Sequence, residues 1–268
     1  AIIVRGRTKV TPAVFAAAKK LKVAGRAGVG VDNIDLNAAR EHNVTVVNSP
    51  LATTIAVAEL AMALMLSLVR EVARADATMK AGKWIKKELE GSELCQKTLG
   101  VIGFGRIGQA VAKRASAFDM KIIAFDPNLS AEEIKNRGAE PATWDELLKQ
   151  ADIFTLHLPL TAGTKDLINA EAISKMKKGA LIVDAARGGV VNEDALLAGL
   201  ESGQIGGAGL DVFNTEPPGE IPLVSHPKVV CTPHIGAQTV EAQSRAAFDI
   251  SNEVLAALNG EALRWKVA

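Results

Sequence analysis

Leu99-Gly100-Val101-Ile102-Gly103-Phe104-Gly105-Arg106-Ile107-Gly108 decides the fold of this chain of 268 residues. Leu99 to Ile102 is a short apolar run that reads as a buried strand, and Ile107 to Phe118 has the length and pattern of a helix. Three glycines join them, and each answers a separate need. Gly103 allows a tight turn, Gly105 lets the backbone approach a pyrophosphate, and Gly108 lets helix and strand pack closely. The helix N-terminus then offers free amides and a partial positive charge to an anion. A second strand, Lys121 to Phe125, ends in Asp126, roughly twenty residues beyond the glycines, where a carboxylate accepts hydrogen bonds from both ribose hydroxyls. The same carboxylate repels a 2′-phosphate, so the spacing points to NAD rather than NADP as the cofactor.

Outward from this unit, short β-branched runs alternate with helix-length segments, the pattern of βα units around a parallel sheet. Further strands are expected at Ala1–Val4, near Val23-Ala24, at Val44–Val47, Asp152–Leu156, Ala180–Val183, Gly206–Leu210 and Val229–Thr232. Helices are expected at Val14–Leu21, Asp32–Arg40 and Glu241–Leu258, the last with Asn259-Gly260 as its C-terminal cap. Asn48-Ser49-Pro50 breaks the alternation and reads as a hinge. A long helix over residues 52–79 follows. It is apolar on nearly every face between Ile55 and Val69, and a dimer interface is the expected cover. Trp84 and Trp144 read as packing residues, and Lys80, Lys83, Lys86 and Lys87 as a solvated face.

Composition narrows the function classes. Of the residues, 48% are hydrophobic and 23% charged, and the formal net charge is +1. That balance fits a globular fold and gives no field to attract nucleic acid or a membrane surface. Cys95 and Cys231 lie far apart with no metal-ligand spacing, so reduced thiols in a cytoplasmic protein without a metal are expected. Charge is placed unevenly: Arg5, Arg7, Lys9, Lys19, Lys20, Lys22 and Arg26 precede the first carboxylate, Asp32. On a strand, Arg5 and Arg7 would point to one side and could hold a phosphate between them.

Polar residues follow the later strands in a regular way. His157, Arg187, Asp211 and His234 come just past four successive strands, at the edge where an open parallel sheet binds ligands. Hydride transfer between a nicotinamide and a secondary alcohol needs a base for the hydroxyl proton and a cation for a neighbouring carboxylate. His234 suits the first role and Arg187 the second. Glu216, hydrogen-bonded to the imidazole, would orient the ring and stabilise its protonated form.

The segments IVRGRTKVT (3–11), GRAGVGVDNIDL (25–36), KTLGVIGFGRIGQ (97–109), DAARGGVVNEDAL (184–196), LDVFNTEPP (210–218) and TPHIGAQTVEAQ (232–243) together resemble the D-isomer-specific 2-hydroxyacid dehydrogenases. The resemblance implies a doubly wound parallel sheet, a Rossmann NAD domain at 51–237, inserted in a smaller flavodoxin-like α/β substrate domain formed by 1–50 and 238–268. It implies Arg187, Glu216 and His234 as catalytic residues. It adds Arg106, Ile107, Leu158, Ala185, Ala186, Asp211, Gly236 and Ala237 as cofactor contacts, and Arg5, Val29 and Gly30 as substrate contacts; His157, from its place past a strand, joins the cofactor set, and Arg7, from its alternation with Arg5, the substrate set. The implied reaction is NAD-dependent oxidation of 3-phosphoglycerate in L-serine synthesis by a homodimer or homotetramer. Glyoxylate or hydroxypyruvate reduction, or an NAD-sensing corepressor-like role, are the alternatives. The family's usual first strand and helix, and the regulatory domain after the catalytic part in many members, are not matched by these residues, so a fragment of a longer protein is expected.

Overall fold

The computed structural model describes residues 1–268. Along the chain come β1 (Ile2–Val4), α1 (Pro12–Ala17), β2 (Val23–Arg26), α2 (Leu36–Glu41), β3 (Thr45–Asn48), α3 (Thr54–Val69) and α4 (Val72–Lys80). Then follow β4 (Thr98–Ile102), α5 (Arg106–Ser116), β5 (Lys121–Phe125), α6 (Ala131–Asn136), β6 (Glu140–Pro141), α7 (Trp144–Gln150) and β7 (Ile153–Leu156). The last are α8 (Ala170–Lys175), β8 (Ala180–Asp184), α9 (Glu193–Glu201), β9 (Ile205–Leu210), α10 (Pro222–Ser225), β10 (Val229–Cys231) and α11 (Val240–Asn259). They divide into two compact units, residues 1–56 with 237–268, and residues 57–236.

In the smaller unit three parallel strands run in the order β1-β2-β3. Phe15, Ile34, Ala38 and Ala39 pack with Val4, Ala24 and Val46 in one core, while Ile250 and Val254 of α11 pack with Val23 and Val47 in another. Gly25 makes the α11 contact possible, because a Cβ there would lie 2.7 Å from Val254 Cγ2. Gly260 ends α11 in the left-handed region at φ 73, as the sequence predicts.

The larger unit holds a seven-stranded, all-parallel sheet in the order β10-β9-β8-β7-β4-β5-β6. The chain reverses its direction of travel between β4 and β7, which is the switch point where open sheets of this kind bind ligands. One face is covered by α7, α8 and α9 through Leu147, Leu148, Ile173, Leu196 and Leu200. The other is covered by α3 and α5 through Met62, Leu64, Met65, Val111 and Ala115. Gly207 and Gly209 of β9 let α3 lie close, with the nearest contact to a Cβ at Gly209 being Leu64 Cβ at 3.0 Å.

Several expectations need correction. The helix expected over 52–79 is two helices, because the carbonyl of Val69 accepts a 2.7 Å hydrogen bond from Ser92 N instead of continuing the ladder. Glu71 then turns left-handed at φ 49 before α4. The apolar faces of α3 are also covered largely within this one chain. Ala58, Ala61, Met62, Leu64, Met65 and Val69 are buried, leaving a narrow exposed stripe through Ile55, Glu59 and Ala63. α1 stops at Ala17, and α2 starts only at Leu36, where Asp35 Oδ1 accepts from Ala38 N at 2.8 Å. β1 ends at Val4 and Gly6-Arg7 form a turn, so strand alternation does not align Arg7 with Arg5. Trp144 packs on Phe125 with ring centroids 5.4 Å apart, but Trp84 is 76% exposed and packs no core. No helix is long and apolar enough to cross a membrane.

Leu64→Ala should leave a cavity between α3 and β9 that the glycine strand cannot fill. A loss of about 2–5 kcal/mol in urea denaturation is expected, and a loss under about 0.5 kcal/mol would mean that α3 is not anchored there.

Candidate active site

The glycine turn after β4 shows a different physical reason at each position. Gly103 has φ +86, and a Cβ would lie 2.6 Å from His157 O. Gly108 abuts β4, with a Cβ falling 2.2 Å from Gly103 O. A Cβ on Gly105 would meet nothing within 4 Å, so nothing in this chain requires a glycine there. The open space there leaves room for a ligand to approach the backbone. The N–H groups of Arg106 and Ile107, at the exposed start of α5, have no acceptor within the chain.

Asp126 is tied to this turn. Its Oδ2 accepts from Phe104 N and its Oδ1 from Asn128 N, each at 2.9 Å. A carboxylate has about four acceptor sites, so two remain for a diol. His157 follows β7 directly across the switch point. Its Nε2 lies 2.8 Å from Thr155 Oγ1, while its Nδ1 is sealed from solvent with no partner in the chain. The residue as a whole is half-buried, yet burial of the ring pushes its pKa down to about 3 and keeps it neutral. An orphaned imidazole nitrogen, a glycine facing open space and unpaired helix amides together fit a dinucleotide along this edge.

The three expected catalytic residues all belong to the larger unit. His234 Nδ1 lies 2.7 Å from Glu216 Oε2, and Glu216 Oε1 accepts from Phe213 N at 3.3 Å. This pair is partly open to solvent, with side chains 47% and 37% exposed. His234 itself is left-handed, φ 52, a conformation imposed by the loop after β10. Asp211, 1% exposed at the end of β9, governs that loop. Its Oδ1 accepts from Thr232 Oγ1 (2.6 Å) and Ile235 N (2.8 Å), and its Oδ2 from Gly236 N (2.8 Å).

Arg187 lies on the turn after β8, beyond the buried Ala185 and Ala186, with Nη1 donating to Ala186 O at 2.7 Å. The next residue presses this turn onto the loop that bears Glu216, since a Cβ on Gly188 would sit 1.8 Å from Phe213 O. Glu193, at the start of α9, accepts from Asn214 N at 2.7 Å and fixes the same loop from the other side. Leu158 lies against the glycine turn, 3.1 Å from a Cβ placed on Gly103.

The other expected residues stand in the smaller unit, together with Ala237. Arg5 donates to Gln243 Oε1 and Gln238 Oε1, both at 3.3 Å, and Arg7 is exposed. The Val29-Gly30 loop is pinned by Asn48 Nδ2 on Val29 O (2.7 Å) and by Gly28 N on Ser49 Oγ (2.6 Å). The N–H groups of Val29 and Gly30 make no hydrogen bond within the chain, as an anion site would require. No group of three or more His, Cys, Asp or Glu side chains is arranged to hold a metal ion. Sequence reasoning overlooked Asp184, a buried acid beside Arg187. Its signal is a carboxylate at a strand end two residues before a turn amide.

Comparison with known proteins agrees with this geometry. Residues 62–236 match the family described as "D-isomer specific 2-hydroxyacid dehydrogenase, NAD binding domain". The chain is 49% identical to the D-3-phosphoglycerate dehydrogenase of Bacillus subtilis over 95% of its own length and 49% of that protein's. It is 50% identical to the hydroxypyruvate reductase of Thermotoga maritima over 94% of its length and 83% of that protein's. The crystal structure of a glyoxylate reductase from Paecilomyes thermophila superposes with a TM-score of 0.88 at 37% identity, covering 97% of this chain and 79% of that one. The chain spans about half the length of the phosphoglycerate dehydrogenases it matches.

Gly188→Ala should force the Arg187 turn away from the Glu216 loop while the glycine turn and Asp126 stay in place. A displacement of this size should lower turnover by about 100-fold, with NAD affinity by fluorescence titration changed less than about threefold. Equal losses in both would show that Gly188 serves the whole unit.

Proposed function

The chain belongs to the D-isomer specific 2-hydroxyacid dehydrogenases, and from that premise we propose that it oxidises 3-phospho-D-glycerate to 3-phosphohydroxypyruvate with NAD, the first step of phosphorylated L-serine biosynthesis. The observation that carries the chemistry is the 2.7 Å His234–Glu216 pair, beside a turn that presents Arg187. Glu216 engages Nδ1, which leaves Nε2 of His234 to take the C2 hydroxyl proton. Glu216 stabilises the imidazolium that results. Arg187 holds the C1 carboxylate with a charge-assisted, two-pronged contact. NAD, when held by the glycine turn and Asp126, would supply the acceptor for the C2 hydrogen as hydride, while Nε2 of His234 would take the hydroxyl proton as the C2 carbonyl forms.

Gly103, Gly105, Gly108, Arg106 and Ile107 are the proposed cradle for the pyrophosphate, and Asp126 the acceptor for the ribose hydroxyls. His157, Leu158, Ala185, Ala186, Asp211, Gly236 and Ala237 complete the proposed cofactor wall. Residues 51–237 are the proposed NAD domain. Residues 1–50 with 238–268 are the proposed substrate domain, which carries the amides of Val29 and Gly30 and the side chains of Arg5 and Arg7 as proposed substrate contacts. A homodimer is proposed through α4 and the segment after it, where Val72, Met79 and Trp84 leave an apolar surface open. The cytoplasm is the proposed compartment, in keeping with Cys95 and Cys231 as free thiols.

Hydroxypyruvate reduction is the second reading. The Thermotoga maritima reductase is as similar as the phosphoglycerate dehydrogenases, and the chain spans far more of its length. Steady-state assays of phosphoglycerate oxidation and hydroxypyruvate reduction on the same preparation decide between them.

Arg187→Ala should lower kcat/KM on the preferred acid by about 100-fold or more, since the bound carboxylate loses its cation. A variant within about threefold of the unmodified protein would remove Arg187 from the site. Replacing Arg5 and Arg7 together by Ala should cost phosphoglycerate turnover about 100-fold, and hydroxypyruvate far less. Equal losses on both substrates would place these arginines outside phosphate recognition.

A further inference from the structure

Two polar residues at the end of β3, Asn48 and Ser49, have no part in the proposed reaction, yet they hold the loop that carries Val29 and Gly30. All four lie in the smaller unit. Ser49 is fully buried and grips Gly28 from both sides. Its N–H donates to Gly28 O at 3.0 Å, and its Oγ accepts from Gly28 N at 2.6 Å. Asn48 Nδ2 donates to Val29 O at 2.7 Å, one residue further on. Asn48 is itself held on two sides: strand pairing places it beside Arg26 of β2, and its N–H donates to Trp265 O at 3.2 Å. The buried Glu253 fixes that C-terminal segment in turn, its Oε2 accepting from Arg264 N at 3.1 Å and Trp265 N at 3.2 Å.

The pattern of these bonds follows the peptide planes. A trans peptide points its C=O and its N–H in opposite directions, so a bond to the carbonyl aims the amide of the same plane. Gly28 O shares its peptide with the N–H of Val29, and Val29 O shares its own with the N–H of Gly30. Those two N–H groups have no acceptor within the chain. Ser49 N and Asn48 Nδ2 thus hold the carbonyl ends of the two peptides whose amide ends are free. Hydrogen bonding at a carbonyl also polarises its peptide and strengthens the N–H as a donor. Gly28 allows the turn, at φ +138, in a region that side chains rarely adopt.

We propose that Asn48 and Ser49 are positioning residues for the acid substrate: from the end of β3 they aim and polarise the N–H groups of Val29 and Gly30, peptide by peptide. The inference rests on the reading of those two amides as substrate contacts. The two residues are not equal in it. Asn48 reaches the loop through its side chain alone, so a substitution removes its bond to Val29 O. Ser49 holds Gly28 O through its own backbone, and a substitution there removes only the bond to Gly28 N.

Asn48→Leu keeps the size of the side chain and removes its donor. KM for the preferred acid should rise about tenfold, with kcat and NAD affinity changed less than about threefold. Ser49→Ala should raise KM by a smaller factor. Val47→Ala is the control, because it loosens β3 from Ile250 and Val254 while both residues keep their bonds to the loop. It should lower the melting temperature and leave KM within about threefold. An unchanged KM in Asn48→Leu, a larger effect from Ser49→Ala, or an equal rise in Val47→Ala overturns the proposal. Asn48→Ala, read the same way, serves if the leucine variant does not fold. The underlying reading is tested apart from these, by titrating D-glycerate into the NADH complex of isotope-labelled protein and following its proton–nitrogen correlation spectra. In the unmodified protein the Val29 and Gly30 amide protons should move downfield on binding. If they stay still while the acid binds, the reading of the amides fails. If they move and Asn48→Leu binds D-glycerate as tightly as the unmodified protein, the proposal alone fails.

Discussion

Asp211 lies under the loop after β10 and accepts hydrogen bonds from a hydroxyl and two backbone amides of that one segment. At 1% exposure its carboxylate has no water to replace them. Hydrogen bonds to a charged group contribute about 1.5–3 kcal/mol each, so three of them offset much of the cost of burying it. They also leave Thr232 to Gly236 one arrangement. Gly236 approaches close enough that a Cβ would sit 3.1 Å from Asp211 Oδ2. His234, held between these anchors in a left-handed conformation, reaches Glu216 only because its flanks are fixed.

The remainder of the site follows from strand direction. In an all-parallel sheet every strand leaves at the same edge, so the turns after β4, β7, β8, β9 and β10 form one rim. Close backbone contact then brings neighbouring turns together. Gly103 abuts His157 O across the switch point, and Gly188 abuts Phe213 O between the Arg187 and Glu216 segments. In both places a side chain would wedge the rim apart. The glycines here set distances between functional groups, whereas Gly105 leaves space that nothing in the chain occupies.

Signals in the sequence are strongest where one local pattern has one physical solution. The glycine turn between β4 and α5 was legible because three glycines, a strand and a helix agree. The residues past β7, β8, β9 and β10 were legible because a parallel sheet leaves them no other edge. Hydrogen bonds from distant segments were not. The end of α3 depends on Ser92 N reaching Val69 O, and no feature of residues 69–72 announces it. β1 is too short for the alternation that would pair Arg5 with Arg7. The burial of α3 depends on Gly207 and Gly209 of a strand some 140 residues on, which let it sink onto the sheet. Asp184 was passed over because an acid at a strand end looks exposed until the strands beside it are placed.

Two buried acids at adjacent strand ends would repel each other in a medium that screens poorly. The edge tolerates them because chain turns just past parallel strands carry amides that no ladder has used. Asp211 collects its donors from the neighbouring segment after β10, and so fixes a loop that is remote in sequence. Asp184 collects its own from the two residues that follow Ala185, and so fixes only its own turn. Burial holds the Asp184 carboxyl well above the ordinary carboxylate range. That division places one acid under the loop that carries the imidazole, which it holds through three donors, and the other in the turn that carries the guanidinium.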